Sequence, residues 1–325
     1  MSGLRSGTAA AAGGDWFSSR THRRGAVDPA AVLAAKGGRR VAVVLPARDE
    51  AATVGAVVTG VRRAWLEAVP LVDEVVVMDS DSVDDTGAVA RAAGATVHRV
   101  RDVRPDLGGR PGKGEAIWKA QLAVDADVLV FVDADLTESA PDLVPALLAP
   151  LLADDTVALV KGFYDRPLRD GSPTAGEAHG GRVTELVARP LLTLLAPELA
   201  DVVQPLAGEW AVRADHLASL SVPSGYGVDV AVLLDTVRAA GLDAVAQVDL
   251  GLRAHTHHGL ADLGPMATQV MAAVLARRAH GPLPAEVCLR QFTRDAAGDP
   301  QPVERAVPLD ERPPAAAVRA PERAS

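Results

Sequence analysis

The fold is decided by one stretch of sequence, Val128-Leu129-Val130-Phe131-Val132-Asp133-Ala134-Asp135, in which five apolar residues run directly into two carboxylates. A short, unbroken apolar run of this kind is typical of a strand buried on both faces of a sheet. Similar runs at 41–45, 75–78 and 96–98 alternate with helical spacings at 54–61, 82–94 and 114–124. This alternation predicts an α/β fold, with a mainly parallel, Rossmann-like sheet and helices on both faces.

The remaining sequence predicts further elements and two irregular ends. A helix followed by a strand at 157–160 is expected within 139–160, a proline-kinked helix at 183–199 and another helix at 228–240. Residues 1–36 are rich in Ala, Gly, Ser and Arg and predict a flexible leader. Residues 297–325 are rich in Pro, Ala and charge, which favours an extended or mobile tail.

Composition excludes several classes of function. With 325 residues and 48% hydrophobic content, the chain can form a large core of its own. A formal net charge of -9 argues against nucleic acid or anionic lipid as partner, and charged residues and prolines interrupt the apolar window at 183–200. The single cysteine, Cys288, excludes a disulfide framework. We therefore expect a cytoplasmic protein that contacts neither nucleic acid nor membrane.

The two carboxylates of Asp133-Ala134-Asp135 are the first candidate site. They follow a buried strand directly, at the sheet edge where ligands of such folds bind. Hard divalent ions such as Mg²⁺ or Mn²⁺ prefer carboxylate oxygens and commonly keep phosphate oxygens as further ligands. A solvated turn is the usual explanation of an Asp-x-Asp triplet, but the position after the strand favours a site for a metal and a diphosphate.

Polar clusters also follow the first and second predicted strands. Asp79 and Ser80 are placed where a base or ribose can be hydrogen-bonded, whereas Ser82 and Asp85 have the spacing of a helix capping box. The segment after the first strand could line the same nucleoside pocket, although acids in a first helical turn are also ordinary dipole partners. That segment comprises Pro46, Ala47, Arg48, Asp49 and Glu50.

A glycine-rich segment around Lys113 resembles a phosphate-binding helix start. Small residues at Gly112 and Gly114 would let the backbone approach an anion while Lys113 supplies positive charge. The segment is not a Walker A motif, because Gly114 stands where Ser or Thr is required. A solvated lysine at a helix start remains the alternative.

Two later segments offer further ligands. Arg253 and the histidines that follow it could bind an anion, and one histidine could complete a metal site with Asp135; a surface loop with solvated histidines is the alternative. These histidines are His255, His257 and His258. The segment from Gly180 to Glu185 precedes a helix and offers amides, a guanidinium and a hydroxyl, which suit a phosphate or carboxylate of a second substrate.

Taken together, the motifs between residues 41 and 270 resemble the GT-A glycosyltransferases, and more narrowly the actinobacterial glucosyl-3-phosphoglycerate synthases. The resemblance rests on many segments in the same order rather than on the Asp-x-Asp alone. These segments are 44–50, Asp79-Ser80 with Asp84-Asp85-Thr86, 110–115, 133–135, 180–190, 204–209, 225–229 and Arg253-Ala254-His255.

The resemblance implies metal-dependent transfer of glucose from UDP-glucose to the 2-hydroxyl of 3-phosphoglycerate, with retention, by a homodimer. It divides the chain into a nucleotide-sugar-binding half, 37–160, and an acceptor-binding and catalytic half, 161–296. Asp135 and His255 would hold the metal. The catalytic groups would be Leu206, through its carbonyl, Asp229 and Arg253. The donor would contact Pro46, Ala47, Arg48, Asp49, Glu50, Ser80, Lys113, Asp133, Ala134, Tyr226, Gly227, Val228, Asp229, Arg253, His255 and His258; the acceptor would contact Gly181, Arg182, Val183, Thr184 and His257.

Three positions depart from the family pattern: Asp229 replaces Glu, Ala207 replaces Ser, and His257 replaces Asn. The shorter reach of Asp229 affects the sugar hydroxyls, and His257 affects how the acceptor is held. Two other functions remain open from the sequence: a polyprenyl-phosphate sugar transferase, and a non-catalytic nucleotide-sugar-binding protein. The acidic residues, Lys113 and His255 favour an enzyme.

Overall fold

A computed structural model of the chain describes residues 13–136, 141–165, 181–252, 260–278, 283–294 and 300–319. Eight strands form one sheet in the order β1-β9-β6-β7-β5-β2-β3-β4, and two further pairs are β10-β11 and β12-β8. The strands are β1 Thr21–Arg23, β2 Val41–Ala47, β3 Glu74–Asp79, β4 Thr96–Arg99, β5 Val128–Phe131, β6 Leu159–Asp165, β7 Trp210–Arg213, β8 Val222–Pro223, β9 Val245–Leu252, β10 Glu286–Arg294, β11 Pro300–Pro308 and β12 Glu311–Arg312.

Helices cover both faces of the large sheet, and the predicted helices at 54–61, 114–124 and 228–240 are confirmed within two residues. The helix predicted at 183–199 consists of a π-helical segment, α7 and a 3-10 turn, with Pro190 in the first turn of α7. The helices are α1 Gly13–Arg20, α2 Pro29–Lys36, α3 Val54–Arg62, α4 Thr86–Ala92, α5 Lys113–Ala123, α6 Leu143–Ala153, α7 Arg189–Leu195, α8 Ala214–Ala218, α9 Val228–Ala240, α10 Leu260–Arg278 and α11 Ala315–Val318.

The sheet is mainly parallel, as predicted. Five neighbouring pairs are parallel, and only β7 runs against its neighbours, β5 and β6. Alternate side chains of β2 pack into two separate cores, with Val44 on one face and Val43 on the other. Burial on both faces explains why the sequences of these strands are continuous apolar runs.

Pro46 lies within β2 and does not stop the strand, contrary to the sequence prediction. Pairing with β5 ends at Val44, whose carbonyl accepts from the amide of Val132, whereas pairing with β3 continues to Ala47. Because alternate residues of a strand direct their amides to opposite neighbours, Pro46 faces the side where β5 has already ended. Its missing N–H therefore removes no ladder bond.

The N-terminal segment is ordered from residue 13, so the prediction of a flexible leader is wrong for 13–36. Trp16 on α1 is buried, and its indole Nε1 donates to the carbonyls of Leu242 and Val245 at 3.1 and 3.2 Å. β1 extends the large sheet by pairing with β9. Contacts with residues more than two hundred positions away order this segment, and its local composition carries no sign of them.

We predict that Trp16→Ala lowers the free energy of unfolding by about 3 kcal/mol, because burial of the indole is lost and a cavity remains. Urea titration followed by circular dichroism measures this change. Phe17→Ala is the matched control, since the adjacent Phe17 side chain is 41% exposed. Equal effects of the two substitutions would show that α1 is not anchored through Trp16.

The C-terminal segment is also structured where it is described. β10 and β11 form an antiparallel hairpin, β12 pairs with β8, and α11 buries Ala315 in the core. An extended or mobile tail was predicted from composition, whereas residues 300–319 contain paired strands and a short helix. Across the described ranges, no helix has the length and apolarity needed to cross a bilayer.

Candidate active site

The loops that follow β2 and β3 are bonded to each other at the carboxyl edge of the sheet. The Asp49 amide donates to the Ser82 hydroxyl at 3.0 Å, and the Val83 amide returns a bond to the Asp49 carboxylate at 2.7 Å. The Glu50 amide donates to the Thr86 hydroxyl at 2.7 Å. These bonds fix the donor segment predicted at 46–50, in which Asp49 adopts a left-handed backbone.

The capping box predicted for Ser82 and Asp85 is absent. α4 begins at Thr86, and the first-turn amide of Thr86 is held by the Asp84 carboxylate at 2.9 Å. Ser82 instead joins the two loops. Ser80, the nucleoside candidate, continues the ladder by donating its amide to Ala47 at 2.8 Å, while buried Asp79 accepts from the Ser82 amide.

Lys113 is the centre of the candidate site. Its Nζ lies 2.8 Å from Asp133 Oδ1 and 3.6 Å from Asp229 Oδ2, and its side chain is 15% exposed. Burial by itself lowers the pKa of Lys113, but the Asp133 and Asp229 carboxylates outweigh burial and raise it above the ordinary lysine value. Lys113 is therefore a permanent cation that joins the end of β5 to the start of α9.

Three glycines near Lys113 have protein atoms in the space that a side chain would occupy. A Cβ on Gly208 would lie 2.1 Å from Asp133 Oδ2, and one on Gly114 would lie 1.8 Å from the Pro223 carbonyl oxygen. Gly112, at φ +121, packs against the backbone of Ser224 in the same way. The space beside Gly112 and Gly114 is taken by the 223–225 backbone, which accounts for both glycines without an anion; contact of Lys113 with a nucleotide stays a prediction.

The acidic groups lie close enough to affect one another. Burial raises the pKa of Glu50, and the charges of Asp135 and then Asp133 raise it further. Ala134, between the two aspartates, is buried in the core, whereas Asp133 and Asp135 are half-buried. Carboxylate oxygen at this edge fits a hard divalent ion. Over the described part of the chain, no three His, Cys, Asp or Glu side chains surround a common metal position.

The candidate site contains a second buried lysine that was not predicted from the sequence. Lys161, on β6, is 1% exposed and donates from Nζ to the Ala207 carbonyl at 2.7 Å. Burial lowers its pKa to about 8; Asp229 and Glu209 oppose this shift, whereas Lys113 adds to it. In the sequence, Lys161 stands out only as a charged residue within an apolar segment. Asp133 likewise stands out as a charged residue at the end of an apolar run.

The loop before α9 contributes the remaining groups. Trp210, on β7, donates from its indole to Asp229 Oδ1 at 3.0 Å and so orients the carboxylate that faces Lys113. Tyr226 is 40% exposed, and burial of the rest of its side chain raises the pKa of its hydroxyl. Gly227 immediately precedes α9, and the Val228 side chain is packed in the core. Only the Val228 backbone remains for contact with a donor.

The predicted acceptor residues begin a different element. Gly181 accepts the Glu185 amide at 3.0 Å, and Thr184 is buried at the start of the π-helical segment Thr184–Ala188, which packs against α10. Val183 packs against the core. Leu206 lies in the turn before β7, beside the Ala207 carbonyl that Lys161 holds. The other predicted groups lie outside the described residues: Arg253, His255, His257 and His258.

Relatives among known proteins cover most of the chain. Residues 42–192 match the model of glycosyl transferase family 2. Over 311 residues the chain is 45% identical to the glucosyl-3-phosphoglycerate synthase of Mycolicibacterium paratuberculosis, covering 94% of this chain and 93% of that protein. The chain belongs to the glucosyl-3-phosphoglycerate synthase family. A second synthase of this family, from Mycolicibacterium smegmatis, is 45% identical over 305 residues, covering 94% and 98%.

Solved structures of this synthase family share the fold. The glucosyl-3-phosphoglycerate synthase from Mycobacterium tuberculosis in complex with Mn²⁺, UDP and phosphoglyceric acid is 42% identical, with a TM-score of 0.82 over 92% of this chain and 99% of that chain. The same synthase with Mg²⁺ and UDP has the same TM-score at 43% identity. The chain is a glycosyltransferase with the α/β GT-A fold, as its motifs predicted.

Proposed function

We propose that the chain transfers glucose from UDP-glucose to the 2-hydroxyl of 3-phosphoglycerate, with retention, giving glucosyl-3-phosphoglycerate and UDP in a metal-dependent reaction. The observation that carries this proposal is the placement of Lys113 between Asp133 and Asp229 at the carboxyl edge of the sheet. In the related M. tuberculosis synthase, structures hold Mn²⁺, UDP-glucose and phosphoglyceric acid. We assign 37–160 as the nucleotide-sugar-binding half and 161–296 as the acceptor-binding and catalytic half, which also adds donor contacts.

The charge of the site supports a divalent metal. The carboxylates that act most strongly on Lys113 and Glu50 are those of Asp133, Asp135, Asp229 and Glu209. With Glu50 they outnumber the three cations of Lys113, Lys161 and Arg48, the last of which acts on Tyr226 in the same site, although the proposed donor is itself an anion. A dication held by Asp135, with His255 as second protein ligand, balances these charges. When bound, Mg²⁺ or Mn²⁺ would neutralise the diphosphate as it leaves.

Lys113 provides a fixed positive charge for the same step. The bond between C1 of glucose and the diphosphate breaks, so negative charge develops on UDP, and a preorganised cation stabilises it more than mobile water does. Asp133 and Asp229 hold the Lys113 ammonium on two sides, which fixes its position before the donor arrives. Arg253 adds a second positive charge in this proposal, and Asp229 also binds the sugar hydroxyls.

Retention requires the acceptor hydroxyl to approach C1 from the face that UDP leaves. We assign its orientation to the Leu206 carbonyl. The turn that carries Leu206 is rigid, because Lys161 binds the next carbonyl, that of Ala207, and the Ala207 amide donates to Gln204 at 3.1 Å. The acceptor phosphate is assigned to the segment 181–184, whose guanidinium and amides suit an anion, and His257 is assigned to the acceptor as well.

The test of the function is an assay of UDP release and product identity. Purified protein is incubated with UDP-glucose and Mn²⁺ or Mg²⁺ in three separate reactions: with 3-phosphoglycerate, with a polyprenyl phosphate, and without an acceptor. The anomeric configuration of the product is determined by NMR. We expect turnover with 3-phosphoglycerate alone, an α product and loss of activity with EDTA. Turnover only with the polyprenyl phosphate, or with no acceptor, would contradict the proposal.

We predict that Arg182→Ala raises the KM for 3-phosphoglycerate about tenfold or more, because a charge-assisted bond to the acceptor phosphate is lost. The KM for UDP-glucose should change by less than about twofold. Steady-state kinetics with each substrate varied in turn measures both. Arg189→Ala is the matched control, since Arg189 pairs with Glu185 at 3.0 Å and with the Val203 carbonyl at 2.6 Å, and is assigned to neither substrate. An unchanged acceptor KM would remove Arg182 from the site.

We further propose a cytoplasmic homodimer. The exposed thiol of Cys288 suits a reducing compartment. Leu186 and Leu194 are 74% and 76% exposed and lie on neighbouring helical segments, and Met271 is 42% exposed on α10, which packs against them. An apolar surface of this kind suits a second copy of the chain. Light scattering should give about twice the chain mass of 33.6 kDa, and a monomeric mass would contradict the dimer.

A further inference from the structure

The C-terminal residues Pro308 to Arg312, here termed the strap, contact both backbone segments that carry the donor-site charges. The first segment, 107–115, ends in Lys113 and the first turn of α5. The second, 222–229, contains Tyr226 and Asp229. The Lys113 ammonium and the Asp229 carboxylate lie 3.6 Å apart, so their relative position depends on how these two segments are held. From composition alone, these residues were predicted to be part of an extended or mobile tail.

Arg312 holds the first segment. Its guanidinium forms two bonds with the Glu115 carboxylate, at 2.6 and 2.8 Å, and two more with the carbonyls of Leu107 and Gly108, at 2.8 and 3.0 Å. It also stacks on Trp118 at 4.7 Å. Glu115 is fully buried and Arg312 is 6% exposed. A buried, bidentate pair of this kind fixes orientation as well as distance.

Asp310 connects the two segments. Its Oδ2 lies 2.6 Å from Arg110 Nε in the first segment. Its Oδ1 accepts the Ser224 hydroxyl at 3.2 Å, and its carbonyl accepts the Ser224 amide at 3.2 Å, in the second segment. Ser224 in turn accepts the Glu115 amide at 2.9 Å. One strap residue therefore bonds both sides of the interface between the segments.

The end of β11 reaches the second segment through α10. The Gln269 side chain donates to the Pro308 carbonyl at 3.0 Å and accepts the Tyr226 amide at 2.9 Å. A Cβ on Gly225 would lie 2.4 Å from the Gln269 amide, so this loop packs tightly against α10. The strap thus fixes both backbone segments without supplying an assigned donor contact of its own.

We infer that Asp310 and Arg312 are positioning residues for the donor: they set the distance between Lys113 and Asp229 through the two segments. The inference rests on the proposed use of UDP-glucose. A displacement of about 1 Å at a reacting site costs up to roughly a hundredfold in rate. Loosening the strap should therefore weaken donor binding and slow transfer, while the acceptor, assigned to 181–184, is bound as before.

The test compares Arg312→Lys and Asp310→Asn with the wild type. Arg312→Lys keeps the positive charge but loses the two guanidinium bonds to Glu115. Asp310→Asn removes the ion pair with Arg110, and Asp310 is less buried than Arg312. Arg319→Ala is the matched control, because Arg319 also ties the C-terminal segment to α5, through the Gln121 carbonyl at 2.7 Å, but away from both donor segments. Kinetics with each substrate, UDP binding by calorimetry with Mn²⁺, and melting temperature are measured.

We expect both strap variants to raise the KM for UDP-glucose and the Kd for UDP by about tenfold. Their KM for 3-phosphoglycerate should stay within about twofold of the wild-type value. Arg319→Ala should change none of these three constants. If Arg312→Lys does not fold, Asp310→Asn decides. A lowered melting temperature with donor KM and UDP Kd within about twofold of wild type would show a purely stabilising strap. Wild-type protein inactive with UDP-glucose would overturn the proposed function instead, and UDP binding would still test the strap.

Discussion

Asp135→Ala is expected to lower metal-dependent release of UDP by about a thousandfold, the rate equivalent of roughly 4 kcal/mol. Asp135 lies directly beyond β5, beside Glu50 and Asp133, and is the carboxylate assigned to the metal. Its removal leaves the departing diphosphate without a dication held in place. The apparent affinity for Mn²⁺ in the presence of UDP should fall with the rate, and titration calorimetry measures it directly.

Asp125→Ala is the matched control for this experiment. Asp125 precedes β5, at the opposite end of the strand from Asp135; it is 90% exposed and pairs with Arg40. Its removal should leave both turnover and Mn²⁺ affinity within about twofold of wild type. Asp135→Ala protein with more than about a tenth of wild-type turnover at saturating Mn²⁺ would place the metal elsewhere.

Lys113→Met is expected to lower kcat/KM for UDP-glucose by two to three orders of magnitude, about 3–4 kcal/mol of transition-state stabilisation. The substitution keeps most of the side-chain volume but removes the charge, so the Asp133 and Asp229 carboxylates are left without the cation that separates them. Binding of UDP should weaken as well. Steady-state kinetics and calorimetry with UDP and Mn²⁺ measure the two effects.

Lys36→Met controls for the loss of a buried, paired lysine. Lys36 is 6% exposed and lies 2.8 Å from Asp73, which precedes β3, at the opposite edge of the sheet from Asp133. It should lower the melting temperature but leave kcat/KM for UDP-glucose within about twofold. If Lys113→Met retained kcat/KM within about threefold of wild type, the Lys113 ammonium would be a structural bridge rather than a donor contact.

The large sheet was predictable because its signals are local. Strands buried on both faces are apolar at every position, as at 41–45 and 128–132, and the polar residues that follow mark the ligand edge. The Asp133 to Asp135 turn could therefore be placed from sequence. Its exact partner could not: the bond between Lys113 and Asp133 depends on how α5 crosses back over the sheet, which spacing alone does not specify.

The sequence prediction failed where long-range contacts decide the structure. The first 36 residues look irregular by composition, yet the indole of Trp16 reaches carbonyls 226 and 229 residues away. Glycines near Lys113 suggested an anion, but the closest atoms belong to Pro223 and Ser224. A glycine signals that something approaches its backbone, and only the fold shows whether that is a ligand or another segment.

Charged residues inside apolar segments were the most informative signals left unused. Lys161 lies within a buried strand, and Glu209 lies just before one. The Glu209 carboxylate raises the pKa of both Lys113 and Lys161. Arg312 sits in a proline-rich segment whose composition suggests mobility, but its partner Glu115 lies in α5 almost two hundred residues earlier. Burial of such groups is costly unless they are paired, so each one indicates an unseen contact.

The most direct test of the proposed site is an anomalous difference map from crystals grown with Mn²⁺ and UDP. The proposed geometry predicts a single strong peak with an Asp135 carboxylate oxygen at about 2.1 Å, the distance typical of small hard dications, and with the diphosphate between that peak and Lys113. A peak held by other side chains, with Asp135 more than about 4 Å away, would contradict the assignment of the metal and of the donor.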